Sequence, residues 1–415
     1  MKSLLYILIS LFSTQLIAQE LVSFTVRMDE EYIDVPISIS LNNINYNSDT
    51  FQIDLYEITQ SGQNLIPSQL ESGHSARLWF ILKGVSKKNS ARNFVIRLSN
   101  NNPSEKQDHP ITLNKSDGNF TFYSEKNPIL SYRFETMYPP EGVDPLFKRS
   151  GFVHPLWSPN GEILTRVQPP DHYHHYGIWG PWTLTHIGDR EVDFWNLSKG
   201  QGTVKFAGFI SEITGKVFSG LKALQQHMDF GAKGEDQIAM NEILDVRVWN
   251  SNNGVWMIDY TTSINTPLKN GIMLDAYRYG GGIGYRATEK WTKENCTVLT
   301  SEGKTRIDAD GSSARWCIVE GESGVKEGRS GILFMSHPSN RAHPEPMRVW
   351  PENGNGGRGD MYFEFTPIRH KSWELKNGND YVLKYRMIVF DGQIDKETAE
   401  IYWRSFSAAP EIEIQ

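Results

Sequence analysis

The sequence predicts an all-β protein made of two sandwiches, the first of immunoglobulin type and the second larger. Short runs in which hydrophobic and polar residues alternate recur along most of the 415-residue chain, as expected for strands that bury one face. Polar turn clusters separate these runs, and no regular alternation of strands with helices indicates a parallel sheet. Packed antiparallel sheets are therefore expected in both halves of the chain.

The chain begins with a predicted secretory signal peptide over residues 1–19. Lys2 gives a positive start, an apolar run follows, and the small residue Ala18 precedes a polar segment. The apolar run is too short to cross the ~30 Å of a hydrocarbon layer. No cysteine stands directly after this run, at the cleavage position, so a lipid anchor is not expected, and no later segment predicts a membrane span. We expect a periplasmic or secreted protein.

Residues 20–115 are predicted to form an immunoglobulin-like accessory sandwich. Their alternation is clearest at Val35, Ile37 and Ile39, and the segment contains no concentration of chemically reactive side chains. We expect this domain to pack against the rest of the chain or to position it.

Residues 116–415 are predicted to form the larger β domain, which carries the site. Tryptophan, histidine, glycine and proline become more frequent there, and alternation continues, for example at Leu244, Val246 and Val248. One helix is predicted over residues 395–406, with Asp395 as its N-cap. Its expected buried face is formed by Ala399, Tyr402 and Phe406.

Composition excludes several classes of partner. The formal net charge is −7, and basic residues are scattered among acidic ones, so no stripe for nucleic acid is expected. Cys296 and Cys317 are the only cysteines, which excludes a disulfide framework and a cysteine-based zinc site; whether the two pair is open. The 12 tryptophans and 17 tyrosines suit stacking on sugars, although large β cores use such residues too.

The most distinctive stretch is "DHYHHYGIW", residues 171–179. If it is extended, His172 and His174 point to one side and His175 to the other. With Asp171, two imidazoles could bind a metal if further ligands converged from distant residues. Alternatively the histidines act as acids, bases or hydrogen-bond donors toward a carbohydrate, or they have a purely structural role.

A family resemblance rests on this stretch. The string "KRSGFVHPLWSPNGEILTRVQPPDHYHHYGIWGPW", with the later "DFW", "GGGIGYRA" and "SHPSNRAHPEP", resembles the so-called PmoA family of secreted bacterial proteins over about residues 119–406. The resemblance implies a supersandwich similar to galactose mutarotase, in proteins of polysaccharide-degrading or sugar-oxidising systems. The family pattern falls on Arg149, His154, Pro155, Asp171, His172, His174, His175, Gly177, Trp179, Asp193, Phe194, Trp195, Gly281, Gly282, Arg286, His337 and Pro338. Tyr176 departs from it, because relatives often carry a basic residue there.

Two further clusters are candidates for the same site. In "DAYRYGGGIGYRA", Arg278 and Arg286 flank a glycine run that no helix follows, so a nucleotide loop is not expected. Gly280 to Gly282 would permit a bulge or a close backbone approach beside a cleft, and Arg286 could hold a carboxylate by two bonds. The other cluster is a proline-rich loop, a kind of segment that often carries sites, and it contains His337, Arg341, His343 and Glu345.

We predict a carbohydrate-active enzyme that cleaves a glycan by lyase or hydrolase chemistry. A lyase would use arginine with a histidine or tyrosine base, and a hydrolase two carboxylates about 5–9.5 Å apart, among Asp171, Asp193, Glu345 and Glu364. The expected catalytic residues are His172, His174, His175, Arg286 and His337. The expected substrate contacts are His154, Asp171, Tyr176, Trp179, Asp193, Trp195, Arg278, Tyr285, Arg341, His343 and Glu345.

Other interpretations stay open at this stage. An epimerase needs only an acid and a base, and a protein that binds sugar without turnover needs neither. No cofactor is expected other than a metal held by histidines, which the spacing allows. The sequence does not fix the glycan, its linkage or the oligomeric state.

Overall fold

A computed structural model describes residues 20–42, 51–73, 75–100, 110–231, 235–251 and 254–415. The predicted signal peptide lies outside the described residues. The all-β prediction is confirmed, since 53% of residues lie in strands and 6% in helices. Within the described part of the chain, no helix has the length and apolar character that a membrane crossing requires.

The N-terminal sandwich packs two antiparallel sheets around a small aromatic core. Its strands are β1 (Glu20–Arg27), β2 (Tyr32–Ser40), β3 (Phe51–Thr59), β4 (Gly62–Ile66), β5 (Ser68–Glu71), β6 (Arg77–Ser86) and β7 (Ala91–Asn100). One sheet contains β1, β7, β3 and β4, and the other has the order β2-β6-β5. The rings of Phe24, Phe80 and Phe94 meet between the sheets at centroid distances of 5.1–6.0 Å.

The second domain begins with the strands that lead into the candidate site. They are β8 (Ile111–Ser116), β9 (Asn119–Ser124), β10 (Asn127–Arg133), β11 (Phe152–Leu156), β12 (Ile178–Trp179), β13 (Thr185–Ile187), β14 (Arg190–Val192), β15 (Gly202–Ile213), β16 (Phe218–Asp229), β17 (Gln237–Trp249) and β18 (Trp256–Asn265). Short 3-10 helices cover Pro145–Phe147, Leu197–Lys199 and Asn355–Gly357.

The remaining strands complete the domain. They are β19 (Ile272–Leu274), β20 (Ile283–Arg286), β21 (Cys296–Thr300), β22 (Ser313–Ala314), β23 (Trp316–Glu322), β24 (Arg329–Ser336), β25 (Glu345–Val349), β26 (Tyr362–Phe365), β27 (Trp373–Leu375), β28 (Tyr381–Asp391) and β29 (Glu411–Ile414). Helix α1 (Lys396–Ser407) precedes β29.

Two large antiparallel sheets form the second sandwich. The nine-stranded sheet has the order β22-β25-β26-β20-β12-β11-β10-β9-β8, and the eight-stranded sheet has the order β15-β16-β17-β18-β28-β24-β23-β21. A smaller sheet has the order β14-β13-β19-β27. Side chains of the two large sheets interdigitate: Phe334 of β24 meets Tyr285 of β20 at 5.2 Å and Phe363 of β26 at 4.8 Å between ring centroids.

Alternation and the helix are confirmed. Leu244, Val246 and Val248 of β17 are all buried between less buried neighbours. The Asp395 carboxylate accepts the backbone N–H of Thr398 at 2.8 Å, which satisfies one of the donors left free at a helix start.

The predicted boundary between residues 115 and 116 falls inside β8. This strand pairs with β9 from Ile111 to Ser116, so it belongs to the nine-stranded sheet. It is a mostly exposed edge strand whose polar residues resemble a linker, which is why composition placed the boundary too late. The C-terminal β29 also pairs with β1, so the last strand returns to the first sandwich.

The two sandwiches are in direct contact. The side-chain oxygen of Gln69 in β5 accepts the backbone N–H groups of Val217 and Phe218, both at 3.0 Å. Ile81 of β6 belongs to the same buried cluster as Tyr402 of α1. The first sandwich therefore packs against the second through both hydrogen bonds and apolar contacts.

Candidate functional site

The histidine-rich segment forms consecutive turns rather than a strand. The His172 N–H donates to the carbonyl of Pro169 at 2.8 Å, and the His175 N–H donates to the carbonyl of His172 at 3.0 Å. Adjacent prolines at 169 and 170 fix the backbone and favour a turn. The expected alternation of these side chains is therefore wrong, and the three imidazoles lie together.

The three rings form one compact group. Ring centroids are 4.7 Å apart for His172 and His175, 4.8 Å for His174 and His175, and 5.4 Å for His172 and His174. Among the described residues, however, no three histidine, cysteine, aspartate or glutamate side chains are arranged to hold a metal ion.

His175 forms the buried wall of this group. Its side chain is 1% exposed, and its ring lies 5.2–5.7 Å, between centroids, from those of Trp179, Trp195, Trp350 and Tyr362. We call these four aromatic residues the aromatic wall. Burial lowers the pKa of its imidazole well below the ordinary value, so the ring is neutral. The ring is enclosed and its Nδ1 has no hydrogen-bond partner among the described residues, and the catalytic role of His175 stays a prediction.

His174 lies between the wall and the surface. Burial, reinforced by the nearby His172, lowers the pKa of its imidazole to about 4. The Trp195 indole N–H donates to the His174 carbonyl at 2.9 Å and holds this turn against the aromatic wall.

Asp171 and His172 form the accessible part of the site. Their side chains are 22% and 30% exposed, and Asp171 Oδ2 is 2.7 Å from His172 Nδ1. The same oxygen accepts from Arg286 Nη2 at 2.8 Å and from Asn355 Nδ2 at 3.1 Å. Burial alone would raise the pKa of Asp171, but the His172 hydrogen bond and the Arg286 charge outweigh it and lower that pKa.

Arg286 lies beneath this pair and is 1% exposed. Besides Asp171 it has Asp360 Oδ2 at 3.6 Å, and its Cζ lies 4.8 Å from the ring centre of Trp350. Burial lowers the pKa of its guanidinium, while the two carboxylates oppose that change. The enclosed side chain orients Asp171 through Nη2, while its Nε and Nη1 have no hydrogen-bond partner among the described residues, and its predicted catalytic role stays a prediction.

The glycine run after Arg278 allows close approach of the backbone, as predicted. Gly281 has φ +81°, and a Cβ there would clash with the indole ring of Trp182. The Gly280 N–H donates to Glu364 Oε1 at 2.6 Å, which fixes the loop beside the aromatic wall. The neighbouring Tyr279 ring lies 5.0 Å from Trp195.

A family model matches residues 120–404, which include the whole of this site. The chain belongs to DUF6807, described as a family of unknown function. No curated protein matches the chain. The first sandwich lies outside the DUF6807 match, which covers most of the second sandwich.

The proline-rich cluster of the DUF6807 domain lies apart from the histidine group. His337 packs on Phe406 of α1 at 5.2 Å, and His343 stacks on Trp403 at 6.1 Å. None of the contacts among the described residues joins His337 to the histidine group, and its catalytic role stays a prediction. The reason is topological, because the loop follows β24 and runs along α1.

Glu345 and Arg341 are also placed by their own surroundings. Glu345 is fully buried, and burial raises its pKa to about 7 despite hydrogen bonds from Asn340 and Tyr385. Glu345 is the first residue of β25, and Trp350 directly follows the last. At a rise of ~3.3 Å per residue, the two residues lie about 16 Å apart along the strand. Arg341 donates to the Ser372 carbonyl at 2.8 Å. Both side chains are held apart from the histidine group, and their contact with substrate stays a prediction.

Other predicted contacts serve the scaffold. Asp193 is fully buried and accepts the backbone N–H groups of Trp195 and Asn196, at 2.9 and 2.8 Å. Tyr285 is buried and donates to the Leu164 carbonyl at 2.6 Å. Their polar atoms satisfy main-chain groups in the interior, and their contact with substrate stays a prediction.

Four predicted substrate contacts remain, of which one belongs to the aromatic wall and the other three lie around the histidine group or at the surface. His154 pairs with Thr165 at 2.9 Å, and burial lowers its pKa to about 4. Tyr176 is buried and donates to the Phe147 carbonyl, so its predicted substrate contact is corrected. Trp179 belongs to the aromatic wall, and Arg278 is exposed next to Tyr279.

Sequence reasoning missed several residues that complete the site. Trp350 covers His172 at 4.9 Å between ring centroids, and Asn355 and Asp360 hold Asp171 and Arg286. All three follow the proline-rich cluster in "MRVWPENGNGGRGD". A Trp-Pro step before a glycine-rich turn was the available signal, since such loops place side chains beside a cleft.

Proposed function

We propose that this protein is a carbohydrate-active enzyme that transfers a proton through the Asp171–His172 pair. The observation that carries the proposal is the 2.7 Å contact between Asp171 Oδ2 and His172 Nδ1 on the accessible side of the histidine group. A carboxylate bonded to Nδ1 fixes the ring orientation and leaves Nε2 to exchange a proton with a ligand.

The surroundings of the pair support a sugar as the ligand. Tyr277 and Tyr279 are partly exposed, with ring centroids 5.9 Å apart, and Tyr279 continues to Trp195 and the aromatic wall. Aromatic faces beside polar hydrogen-bonding groups suit the apolar faces and hydroxyls of a pyranose ring. The surroundings of the Asp171–His172 pair therefore offer both aromatic faces and polar hydrogen-bonding groups to a sugar.

Burial favours proton abstraction over hydrolysis by two carboxylates. Asp193, Glu345 and Glu364 are all fully buried, which leaves Asp171 as the single accessible acid among the four predicted candidates. An epimerase removes the proton beside a carbonyl-type carbon and returns a proton to the opposite face, whereas a lyase removes that proton and expels a sugar oxygen. In the lyase case the C–H proton goes to His172 Nε2, a C=C bond forms as the C–O bond to the departing sugar breaks, and the protonated His172 then returns the proton to the departing oxygen.

Three expectations from sequence belong to the same proposal. A periplasmic or secreted location rests on residues 1–19, the glycan partner rests on the site's chemistry, and kinship with the PmoA family rests on the quoted motifs. A catalyst with a histidine-bound metal gains no support from the described residues, where no three-ligand group is present.

The test is turnover of a panel of neutral and uronate-containing oligosaccharides by the full chain. Products are detected by mass spectrometry, with absorbance of an unsaturated uronate identifying lyase chemistry. We expect His172→Ala and Asp171→Asn to abolish product formation while His186→Ala retains it. His186 is a matched control because it also pairs with a carboxylate, that of Asp275, outside the histidine group.

Two outcomes would overturn the proposal. Saturable binding of a glycan without any product would make the protein a carbohydrate-binding module. Equal turnover by wild type and His172→Ala would place the chemistry at another group.

A further inference from the structure

A glycine-rich loop, residues 351–359, lies beside the histidine group. Four of its nine residues are glycines. The loop connects Trp350, whose ring lies 4.9 Å from that of His172, to Asp360, which lies 3.6 Å from Arg286. Both ends of the loop therefore belong to the walls of the candidate site.

The tip of this loop, residues 352–357, stands clear of the rest of the described chain. A Cβ added at Gly356 or Gly357 would meet no atom within 4 Å, and both residues have the positive φ that glycine adopts without strain. The N–H groups of Gly357 and Gly359 donate to the Gly354 carbonyl, at 3.1 and 3.0 Å. These bonds preserve the shape of the tip, so it is able to move as one unit.

Arg306 fixes the two ends of the loop. The residue is 2% exposed, and its guanidinium donates to carbonyls on both sides of the tip. These are the carbonyls of Trp350 at 3.2 Å, Pro351 at 3.4 Å, Gly359 at 2.8 Å and Asp360 at 3.3 Å. Hydrogen bonds from a charged donor are stronger than neutral ones. The ends are therefore held in place by one buried cation while the tip is exposed.

Asn355 holds the tip against the candidate site. Its Nδ2 donates to Asp171 Oδ2 at 3.1 Å and also donates to Asp360. Among the described residues, no other side chain of the tip forms a hydrogen bond or an ion pair with the rest of the chain. One exposed amide therefore decides whether the tip stays at Asp171.

Release of Asn355 leaves no carboxylate without a partner. Asp171 Oδ2 keeps His172 Nδ1 at 2.7 Å and Arg286 Nη2 at 2.8 Å, and both contacts are shorter than the one to Asn355. Asp360 keeps Arg286 at 3.6 Å. The bond that breaks has a neutral, exposed donor, which makes it weaker than the charged bonds that remain.

We infer that the tip is a lid at the Asp171–His172 pair, closed by Asn355 and hinged at the two ends that Arg306 fixes. The inference rests on the proposed function, because the pair is the site that the lid controls. Access of a glycan to the pair requires release of Asn355 from Asp171. Closure over a bound glycan then shields the proton transfer from water.

The first experiment measures the position of the lid by double electron–electron resonance, without any glycan. Nitroxide labels are attached at Asn353→Cys in the tip and at Thr112→Cys in β8, both exposed positions. β8 lies six strands from β26 in the same sheet, roughly 29 Å at ~4.8 Å per strand, which separates the labels well. Cys296 and Cys317 are buried, and burial raises the pKa of both thiols, so neither takes a label.

The decisive variant is Asn355→Asp in this labelled protein. It keeps the shape of the side chain but directs a carboxylate instead of a donor toward Asp171 and Asp360, which repel it. We expect a mainly closed distance in the labelled protein and a several-fold larger open fraction in the variant. Equal distance distributions for the two proteins would overturn the lid.

Asn160→Asp is the matched control for this variant. The Asn160 amide is also exposed and also donates to a carboxylate at 3.1 Å, that of Glu327, outside the candidate site. It should leave the distance distribution unchanged. A shift as large as that of Asn355→Asp would overturn the lid, because the effect would then not depend on Asn355.

The second experiment tests whether the lid controls access to the pair. Histidines are modified with diethyl pyrocarbonate, and the modified peptides are quantified by mass spectrometry. We expect Asn355→Asp to raise the rate at His172 several-fold and to leave the rate at His186 unchanged. His186 is the internal control, since its side chain is 36% exposed against 30% for His172 and also pairs with a carboxylate. An unchanged rate at His172, or equal increases at both histidines, would overturn the inference.

Arg306→Lys tests the hinge. A lysine keeps the charge but lacks the planar group that binds several carbonyls at once, so the distance distribution should broaden. A distribution as narrow as that of the labelled protein would contradict the role of Arg306. If this variant does not fold, Asn355→Asp, which changes an exposed residue, still decides the lid.

Failure of the lid and failure of the proposed function are distinguishable, because neither experiment uses a glycan. Turnover of a panel glycan by a protein whose tip never leaves Asp171 would overturn the lid and leave the proposed function standing. A tip that opens as expected in a protein without any turnover would support the lid and overturn the proposed function.

Discussion

Replacing His174 with glutamine should flatten part of the pH dependence of stability. Burial lowers the pKa of His174 from 6.5 to about 4, so the unfolded chain takes up this proton first as the pH falls. The neutral His174 imidazole therefore makes its full contribution to the free energy of unfolding above pH 6.5, and this contribution is lost as the pH falls below that value. At pH 5, which lies 1.5 units below 6.5, the loss is about 2 kcal/mol at 1.36 kcal/mol per unit.

The assay is urea denaturation of both proteins at pH 8 and pH 5, followed by tryptophan fluorescence. Glu345 and Glu364 have raised pKa values and change stability in the opposite direction, so the informative quantity is the difference between variant and wild type. We expect His174→Gln to lose about 2 kcal/mol less than wild type between the two pH values. His370→Gln, at an exposed histidine, should behave as wild type. Equal losses in wild type and His174→Gln would refute the burial argument.

Three further substitutions test other parts of the site. Arg286→Met should lower the free energy of unfolding by about 3 kcal/mol in urea, because it removes the buried cation that pairs with Asp171 at 2.8 Å and lies 3.6 Å from Asp360; an unchanged midpoint would contradict this. Burial raises the pKa of Glu364 from 4.5 to about 8, so this group should cost wild type about 3 kcal/mol of stability between pH 6 and pH 9, at 1.36 kcal/mol for each pH unit between 6 and 8. Glu364→Gln should be spared that loss, and parallel declines of the two proteins would argue against it. Gly281→Ala should cost at least about 3 kcal/mol, since its Cβ meets Trp182 at a positive φ; a thermal midpoint equal to wild type would contradict the close packing.

Local patterns predicted the strands and the helix because burial on one face depends on neighbours a few residues away. Val246 and Val248 alternate with less buried residues in β17, and Asp395 caps α1 with its own side chain. Pairing between distant segments left no comparable signal. β29 joins β1 across nearly the whole chain, so composition could not assign it to the first sandwich.

The candidate site was predicted in part for the same reason. The three neighbouring histidines were visible in the sequence, but the turn that gathers them depends on hydrogen bonds to Pro169 and His172. Arg286 and Asp171 are 115 residues apart, and their contact arises from the order of strands in the nine-stranded sheet. His337 shares the residue types of a site but lies beside α1, because residue type alone does not determine where a loop ends.

The most direct test of the Asp171–His172 pair is nitrogen NMR of the histidine side chains during titration with the panel oligosaccharides. We expect the Nε2 resonance of His172 to shift on saturation with a glycan that binds, while the resonances of His186 stay in place. The same titration of Asp171→Asn should show a smaller shift, because the ring loses the carboxylate that orients it. Glycan binding that leaves every His172 resonance unchanged would contradict a role for this pair.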